Sequence, residues 1–453
     1  SHFVKLKTIN HVTSFIQHLK AFTGTALIAS DGKKASFASL VSNAKTLRAN
    51  ILARQDGSKN CGAESLSEKE DKASVKESSQ QQEVLPFSSL TEFVTGLLAL
   101  DSWAVTFSIL SDRFTFTIPT TYKVDEHTDS TWYLYTSGTT GEPKQIAHNA
   151  ASICASLSLR TSPSNRRWAL TYKPYKFAGL QVLLQSLLDG DCILDCTSGN
   201  MEEKARLLMD NKINALSATP SWWRQLLMIE NTNALPLSHI TLGGEIADQN
   251  LLTALDKSFP FAKIFHIYAS TEAGVGFAVS DKKAGFPLSW TRDGVNRNLL
   301  DIRQNILWIK PFFNNAKLQG NSESIQVDND GFINTQDAVY VEDERVHFRG
   351  RVNGAINVGG NKVFPEAVEK VLLMSDLVVQ ARVYGKENKI LGNVVVADVV
   401  VKTTTKRRLP KDLQMALLLH CKTYLNRTDM PTKINIVDEL TLSDSGKLAR
   451  TKI

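Results

Sequence analysis

The run Tyr133-Leu134-Tyr135-Thr136-Ser137-Gly138-Thr139-Thr140-Gly141-Glu142-Pro143-Lys144 holds the residue types and spacing most suited to chemistry. A short apolar strand enters a stretch of hydroxyls and glycines that ends in a lysine, and a helical pattern from Asn149 to Leu159 follows. Gly138 and Gly141 let backbone approach a ligand closely. The hydroxyls of Thr136, Ser137, Thr139 and Thr140, together with loop amides, can donate to phosphate oxygens, and Lys144 adds a point charge. A Walker A loop is excluded, because it needs four residues between its glycines and Lys-Ser/Thr directly after the second. The spacing therefore predicts a phosphate-gripping loop of another kind.

Thr136 to Lys144 resembles the phosphate loop of the adenylate-forming superfamily: acyl- and aryl-CoA synthetases, luciferases and the adenylation domains of peptide synthetases. Further motifs recur in that family's order. Leu242-Gly243-Gly244-Glu245 is similar to its strand and turn beside the adenine, and Tyr268-Ala269-Ser270-Thr271-Glu272 to its aromatic-Gly-x-Thr-Glu stretch. By this resemblance Gly243, Gly244 and Glu245 border the nucleotide, Tyr268 stacks on adenine, Thr271 bonds the α-phosphate and Glu272 holds Mg²⁺. A hard cation bridging phosphates suits a carboxylate oxygen. Gly331-Phe332-Ile333-Asn334-Thr335-Gln336-Asp337 resembles the segment whose Asp accepts the ribose hydroxyls, here Asp337, with Gln336 where Gly is usual.

Gly350 to Gly360 looks like the family's hinge region. Arg351 would reach ribose or phosphate, and Asn353 stands at the pivot in place of Asp or Lys. Gly359 and Gly360 would face the tunnel for the thiol acceptor after a domain rotation. Ser443-Asp444-Ser445-Gly446-Lys447 resembles the terminal Gly-Lys motif, so Lys447 is implied as the mobile catalytic lysine, with Thr441 where a proline is usual. The resemblance places the acyl pocket at Tyr175, Phe177, Gly179 and Trp222, although a core role suits Trp222 equally. Tyr172 to Gly179 lacks the Asp with which amino-acid-activating members meet an ammonium, so a monocarboxylic acyl or aryl acid is expected.

These residues need strand ends and turns to hold them. Apolar helical stretches at Leu90–Leu100, Leu180–Leu188 and Trp222–Met228 alternate with short strands rich in Val, Ile and Tyr, the pattern of an α/β domain. About residues 55–84 the chain is Ser, Glu, Lys and Gln, too polar to offset its ordering entropy, and a flexible insertion is expected. Beyond the Gly-rich turn the pattern predicts helix 365–373, strands 378–383 and 393–402, helix 411–425 and strand 434–437. The expected fold is thus a large α/β N-terminal domain of several subdomains, residues 1–352, with a small mobile α+β C-terminal domain, residues 353–453.

A hydrophobic fraction of 42% with 22% charged residues excludes disorder throughout, collagen and a coiled coil. The sequence has no apolar run long enough for a membrane span and no signal-peptide pattern, and its five cysteines are too few for a disulfide framework. A cytoplasmic protein is expected. Cys192 and Cys196 have no second Cys/His pair near them, so no structural zinc is expected. The net charge of +6 lies entirely beyond Asn353, where 16 Lys and Arg face 10 Asp and Glu. That excess suits a phosphate-bearing ligand or an acidic protein, and a solvated surface equally.

The implied reaction uses ATP and Mg²⁺ to convert a small-molecule carboxylic acid to its acyl-adenylate, then passes the acyl group to a thiol. CoA is the leading acceptor, and the phosphopantetheine of an acyl carrier protein is the alternative. No nucleic acid partner is expected. The departures at Gln336, Asn353 and Thr441 leave open a degenerate nucleotide-binding or interaction protein.

Overall fold

The computed structural model describes residues 14–60, 82–101, 106–110, 115–119, 130–136, 144–154, 157, 159–160, 164–270, 275–311 and 326–450. They form two compact units, one reaching Thr197 and the other beginning at Ser198.

In the first unit, strand Thr25–Ile28 pairs antiparallel with Lys34–Ser36 and parallel with Cys192–Asp195, which pairs parallel with Arg167–Leu170. Helix Phe177–Leu188 is the crossover between the last two, burying Leu180, Leu183, Leu184 and Leu187. A second, five-stranded sheet has the order 82–86, 115–119, 106–110, 131–136, 144–148. Its core is aromatic: Phe116 packs on Phe87, Phe93 and Phe107, and Phe107 on Trp132, at centroid distances of 4.7 to 5.7 Å. Such edge and tilted pairs add to the area they bury.

Helix Phe37–Asn60 runs further than the polar composition suggests, so the first residues of the expected insertion are helical. Adding turns to an existing helix costs little, because the expensive step is nucleation. Strand Gln82–Pro86 takes up the far end, and residues 61–81 lie outside the described residues. The helix after the expected phosphate loop is shorter than expected. A strand, Lys144–His148, comes first, and the helix spans only Ala150–Cys154.

The second unit opens with parallel strands Ala215–Ala218, His239–Gly243 and Lys263–Ser270, the last pairing antiparallel with Val275–Val279. Ala218 aligns with Leu242, and Leu242 with His266, so the chain leaves these strands at one edge. In α/β folds that carboxyl edge is where ligands bind. Helix Pro220–Leu227 starts directly after the first strand. Thr219 caps it by accepting from the Trp222 amide at 3.2 Å, and Pro220 sits where a missing N–H costs nothing. An antiparallel sheet follows, ordered 286–287, 345–351, 333–342, 306–310, 299–303, around Phe277, Phe286, Leu307, Val339 and Val346.

The C-terminal elements fall close to their expected places: helix Pro365–Leu373, strands Val378–Asn388 and Gly392–Val401, helix Pro410–Tyr424 and strand Lys433–Ile436. The two long strands form one hairpin, and the last strand adds in parallel. Val368, Leu372, Val383, Val395, Ala397, Val399, Leu413, Leu417 and Ile434 fill a separate core between sheet and helices. The fold class is the expected one: mixed α/β, with a large N-terminal and a small α+β C-terminal part.

Candidate functional site

Strands Thr131–Thr136 and Lys144–His148 are antiparallel neighbours, with Thr136 directly opposite Lys144. The two ends of the expected phosphate loop therefore meet across one ladder rung. Ser137, Gly138, Thr139, Thr140 and Gly141 lie outside the described residues, as do Thr271 and Glu272.

At the carboxyl edge of the parallel strands, Gly243 ends its strand and Gly244 turns with φ +85°, a conformation suited to glycine. A Cβ built on Gly244 would meet Cε of Lys447 at 3.2 Å, so the lysine side chain lies across this glycine. Lys447 sits in a small hairpin. The Gly446 amide donates to the Ser443 carbonyl at 2.8 Å, the Ser443 amide to the Lys447 carbonyl at 2.7 Å, and the Ala449 amide to the Thr441 carbonyl at 3.2 Å. Gly446 takes φ +74° to make the turn.

The same edge grips that hairpin. The Thr219 hydroxyl donates to the Gly446 carbonyl at 2.5 Å. Glu245 accepts from the Ser221 amide at 3.1 Å, the Ser221 hydroxyl at 2.9 Å and the Leu448 amide at 3.1 Å. Beyond the hairpin, Gln225 donates to the Leu440 carbonyl at 3.1 Å and Gln380 to the Ser221 carbonyl at 3.3 Å. On its other side the hairpin is tied to the C-terminal core. Arg450 binds both oxygens of Glu369 and donates to the Val383 carbonyl at 3.1 Å, while Arg382 donates to the Ala449 carbonyl at 3.0 Å. Burial pushes the Glu369 carboxyl up to about 7 against the pull of Arg450, and the neighbouring carboxylates hold Arg450 protonated above its ordinary range.

A second cluster joins three of the expected residues. The Tyr268 hydroxyl donates to Oδ2 of Asp337 at 2.5 Å, and Arg351 Nε donates to Oδ1 at 3.1 Å. Asp337 and Arg351 are register partners on adjacent strands, which fixes their separation. Burial and the Asp337 charge raise the Tyr268 phenol well above its ordinary value, so it is held as a donor. The Tyr268 ring stacks with Phe277 at 5.2 Å and with Phe348 at 5.1 Å. Gln336 adopts φ +61°, the left-handed conformation that the usual glycine would take. The Asn334 side chain accepts its amide at 2.9 Å, and the backbone turn is kept.

Of the remaining expected residues, Trp222 is 3% exposed, packs edge-on to Trp223, and its indole N–H finds no acceptor among the described residues. Tyr175 is buried in the first unit, Phe177 begins the helix that contains Gly179, and its ring lies 5.3 Å from that of His148. Asn353 lies in a single turn of 3₁₀ helix, Val352–Gly354. Gly359 and Gly360 make the turn between strands Ile356–Val358 and Asn361–Val363. Mg²⁺ is implied by the family, but its expected ligand lies outside the described residues, and among these no three His, Cys, Asp or Glu side chains gather to hold a metal. No helix of the described residues is long and apolar enough to cross a membrane. The resemblance puts Ser217 to Trp223 in an acyl-pocket wall; the contacts of Thr219 with Gly446, of Ser221 with Glu245 and of Glu245 with Leu448 were missed by sequence reasoning. The only signal available was the Thr-Pro-Ser start of helix Pro220–Leu227, which reads as an ordinary cap.

Comparison with known proteins agrees with this arrangement. Residues 26–299 match the AMP-binding enzyme family and residues 367–447 its C-terminal domain. The 2-succinylbenzoate–CoA ligase of Listeria innocua is 26% identical over 340 residues, 71% of this chain and 68% of that protein. The D-alanine–D-alanyl carrier protein ligase of Staphylococcus aureus is 25% identical over 349 residues, 72% of this chain and 71% of that protein. The o-succinylbenzoate CoA synthetase of Bacillus subtilis, solved with its acyl-adenylate, shares the fold with a TM-score of 0.62 at 18% identity over 97% of each chain. With a lysine hairpin lying on the strand edge and a family match over more than half of its length, the chain belongs to the AMP-binding enzymes of the adenylate-forming superfamily.

Proposed function

We propose that this chain activates a monocarboxylic acyl or aryl acid with ATP and transfers the acyl group to CoA. A carboxylate oxygen attacks the α-phosphorus, the α–β phosphoanhydride bond breaks, and pyrophosphate leaves. The thiol sulfur then attacks the adenylate carbonyl, loses its proton to solvent and expels AMP. The observation that carries this reading is the Lys447 side chain lying across Gly244, at the carboxyl edge of the parallel strands, where α/β folds bind ligands. Lys447 donates to the charge that develops between carboxylate and α-phosphate, which is positioning and electrostatic work.

Thr136, Ser137, Gly138, Thr139, Thr140, Gly141 and Lys144 hold the β- and γ-phosphates, and Thr271 bonds the α-phosphate. Asp337 and Arg351 hold the ribose, and Gly243, Gly244 and Tyr268 border the base. Glu272 would hold Mg²⁺, which offsets phosphate charge. Tyr175, Phe177, Gly179 and Trp222 line the acid's site. The part from Asn353 onward serves as the mobile cap and withdraws Lys447 for the second step, with Gly359 and Gly360 beside the incoming thiol. A cytoplasmic setting suits the free thiols of Cys154, Cys192 and Cys421.

A second reading replaces CoA by a carrier-protein phosphopantetheine. Between residues 406 and 427, Lys406, Arg407, Arg408, Lys411, Lys422 and Arg427 stand against Asp412, with Lys406 paired to Asp438 at 3.5 Å, and Met415 and Leu419 are exposed on helix Pro410–Tyr424. Such a surface suits an acidic partner. One experiment tests both readings. Pyrophosphate release is followed over a panel of aryl and fatty acids, and CoA or a holo-carrier protein is then added and thioester sought by mass spectrometry. ATP-dependent release with at least one acid is expected, followed by acyl-CoA. Release with no acid in the panel would overturn the ligase assignment, and thioester on the carrier alone would select the second reading.

A further inference from the structure

Within the Lys447 hairpin, Leu442 and Leu448 face each other as an isolated bridge. The bonds on either side of that bridge run from Ser443 to the Lys447 carbonyl and from Ala449 to the Thr441 carbonyl. Leu442 and Leu448 are therefore a non-hydrogen-bonded pair, and the Leu448 N–H points away from its own hairpin. An amide left in that state without water costs free energy. Its acceptor is Glu245, 3.1 Å away and 203 positions earlier in the chain. On the other side of Lys447, the outward carbonyl of Gly446 is met by Thr219. The two backbone groups that flank the lysine and that the hairpin cannot satisfy are thus both satisfied by the strand edge.

Glu245 is itself held in place. Ser221, at the start of helix Pro220–Leu227, donates to it from both its amide and its hydroxyl, so the carboxylate is fixed relative to that helix. Both oxygens are engaged by protein donors. We propose that Glu245 is a positioning residue: with Thr219 it forms a latch that docks the Lys447 hairpin on the carboxyl edge, and it does not bind the nucleotide. The latch acts on the backbone beside the lysine, so it sets how long the ammonium stays over Gly244 without touching the substrate. This deepens the ligase reading and rests on it for the catalytic consequence, while the docking itself is a property of the protein without substrates.

The test is amide hydrogen exchange of the full chain, read on peptides covering residues 441–450, together with ATP affinity by calorimetry. Wild type, Glu245→Gln and Glu245→Ala are compared, with thermal melting as the folding control. A hydrogen bond to a charged acceptor is worth roughly tenfold or more in the docked population. Glu245→Ala should therefore speed exchange at Leu448 about tenfold, while Glu245→Gln, which keeps an acceptor oxygen, should recover part of the protection. The ATP dissociation constant should stay within about twofold in both variants, as expected for a group that contacts no nucleotide. Unchanged exchange at Leu448 in a folded Glu245→Ala protein overturns the latch. A dissociation constant raised tenfold or more in Glu245→Ala would make Glu245 a nucleotide ligand and overturn it too. Neither readout needs the acid, so failure of the latch and failure of the ligase assignment are separately visible.

Discussion

The hydroxyl of Thr219 donates to the carbonyl of Gly446 over 2.5 Å, joining residues 227 positions apart in the chain. The bond seats the residue just before Lys447, and Gly244 provides the floor on which the lysine lies. Gly244→Ala would force a side chain into φ +85° and bring a methyl to 3.2 Å from Lys447 Cε. At a left-handed cost of about 1–2 kcal/mol, the variant should lose roughly tenfold in pyrophosphate exchange while staying folded. A wild-type exchange rate in Gly244→Ala would show that the lysine does not use this floor.

Lys447→Ala removes the donor to developing charge and should lower the adenylation rate by about 10²-fold or more, with little change in the KM for ATP. Isotope exchange between pyrophosphate and ATP measures it. A variant that exchanges at a near wild-type rate would rule out the assigned role.

Asp337→Ala acts on ground-state binding. With the acceptor for the ribose gone, the KM for ATP should rise about tenfold and kcat should change little. Tyr268→Phe removes one donor to the same carboxylate and should shift KM less, because Arg351 still orients Asp337. Steady-state kinetics on both variants decides, and an unchanged KM in Asp337→Ala would mean that the ribose lies elsewhere.

Gln336 supplies a stability prediction. A non-glycine residue at φ +61° is strained, and glycine relieves that strain at some cost in unfolded-state entropy. Gln336→Gly should stabilise the protein by about 0.5–1 kcal/mol in urea titration. A loss of stability would show that the Gln336 side chain contributes more than its backbone costs.

Much of this was legible in the sequence because it depends on local pattern. The C-terminal helices begin at Pro365 and Pro410, and their apolar spacing placed both to within a residue or so of where they lie. Asp337 and Arg351 were named from separate motifs, and the register of two adjacent strands brings them face to face. The Glu245–Leu448 contact was not legible. It joins segments far apart in sequence and uses a backbone N–H, which leaves no mark on residue type. The length of helix Phe37–Asn60 was misjudged for the opposite reason: composition measures what a segment can bury, whereas continuing a helix already nucleated requires little burial. The strand Lys144–His148 was read through because Lys-Gln-Ile-Ala-His is too short to show a period.

His266 contributes one part of the pH dependence, beside His148, which burial also lowers to about 4, and against the raised carboxyls of Asp191 and Glu369. Burial lowers the His266 pKa from the usual 6.5 to about 4, with its ring nitrogen 3.2 Å from the Gly285 carbonyl. Between those values the unfolded chain takes up a proton that the folded chain refuses, so this group's contribution to stability is full above pH 6.5 and falls as pH drops toward 4. The loss should be about 1–3 kcal/mol, read as the urea midpoint at successive pH values. His266→Gln keeps a donor for Gly285 without a titrating ring and should reduce that slope, with the His148 share remaining. An equal slope in the variant would assign the acid sensitivity to other groups.

Thiols are a hazard to a protein that carries an activated acyl group, because any thiolate of its own competes with the intended acceptor. Burial raises Cys154 to about 12 and Cys421 to about 11, and it raises Cys192 as well. At neutral pH these sulfurs are almost wholly protonated, and a protonated thiol is a poor nucleophile. The described cysteines so treated are thereby guarded against self-acylation. The packing that hides them also preserves the adenylate for the thiol that arrives from outside.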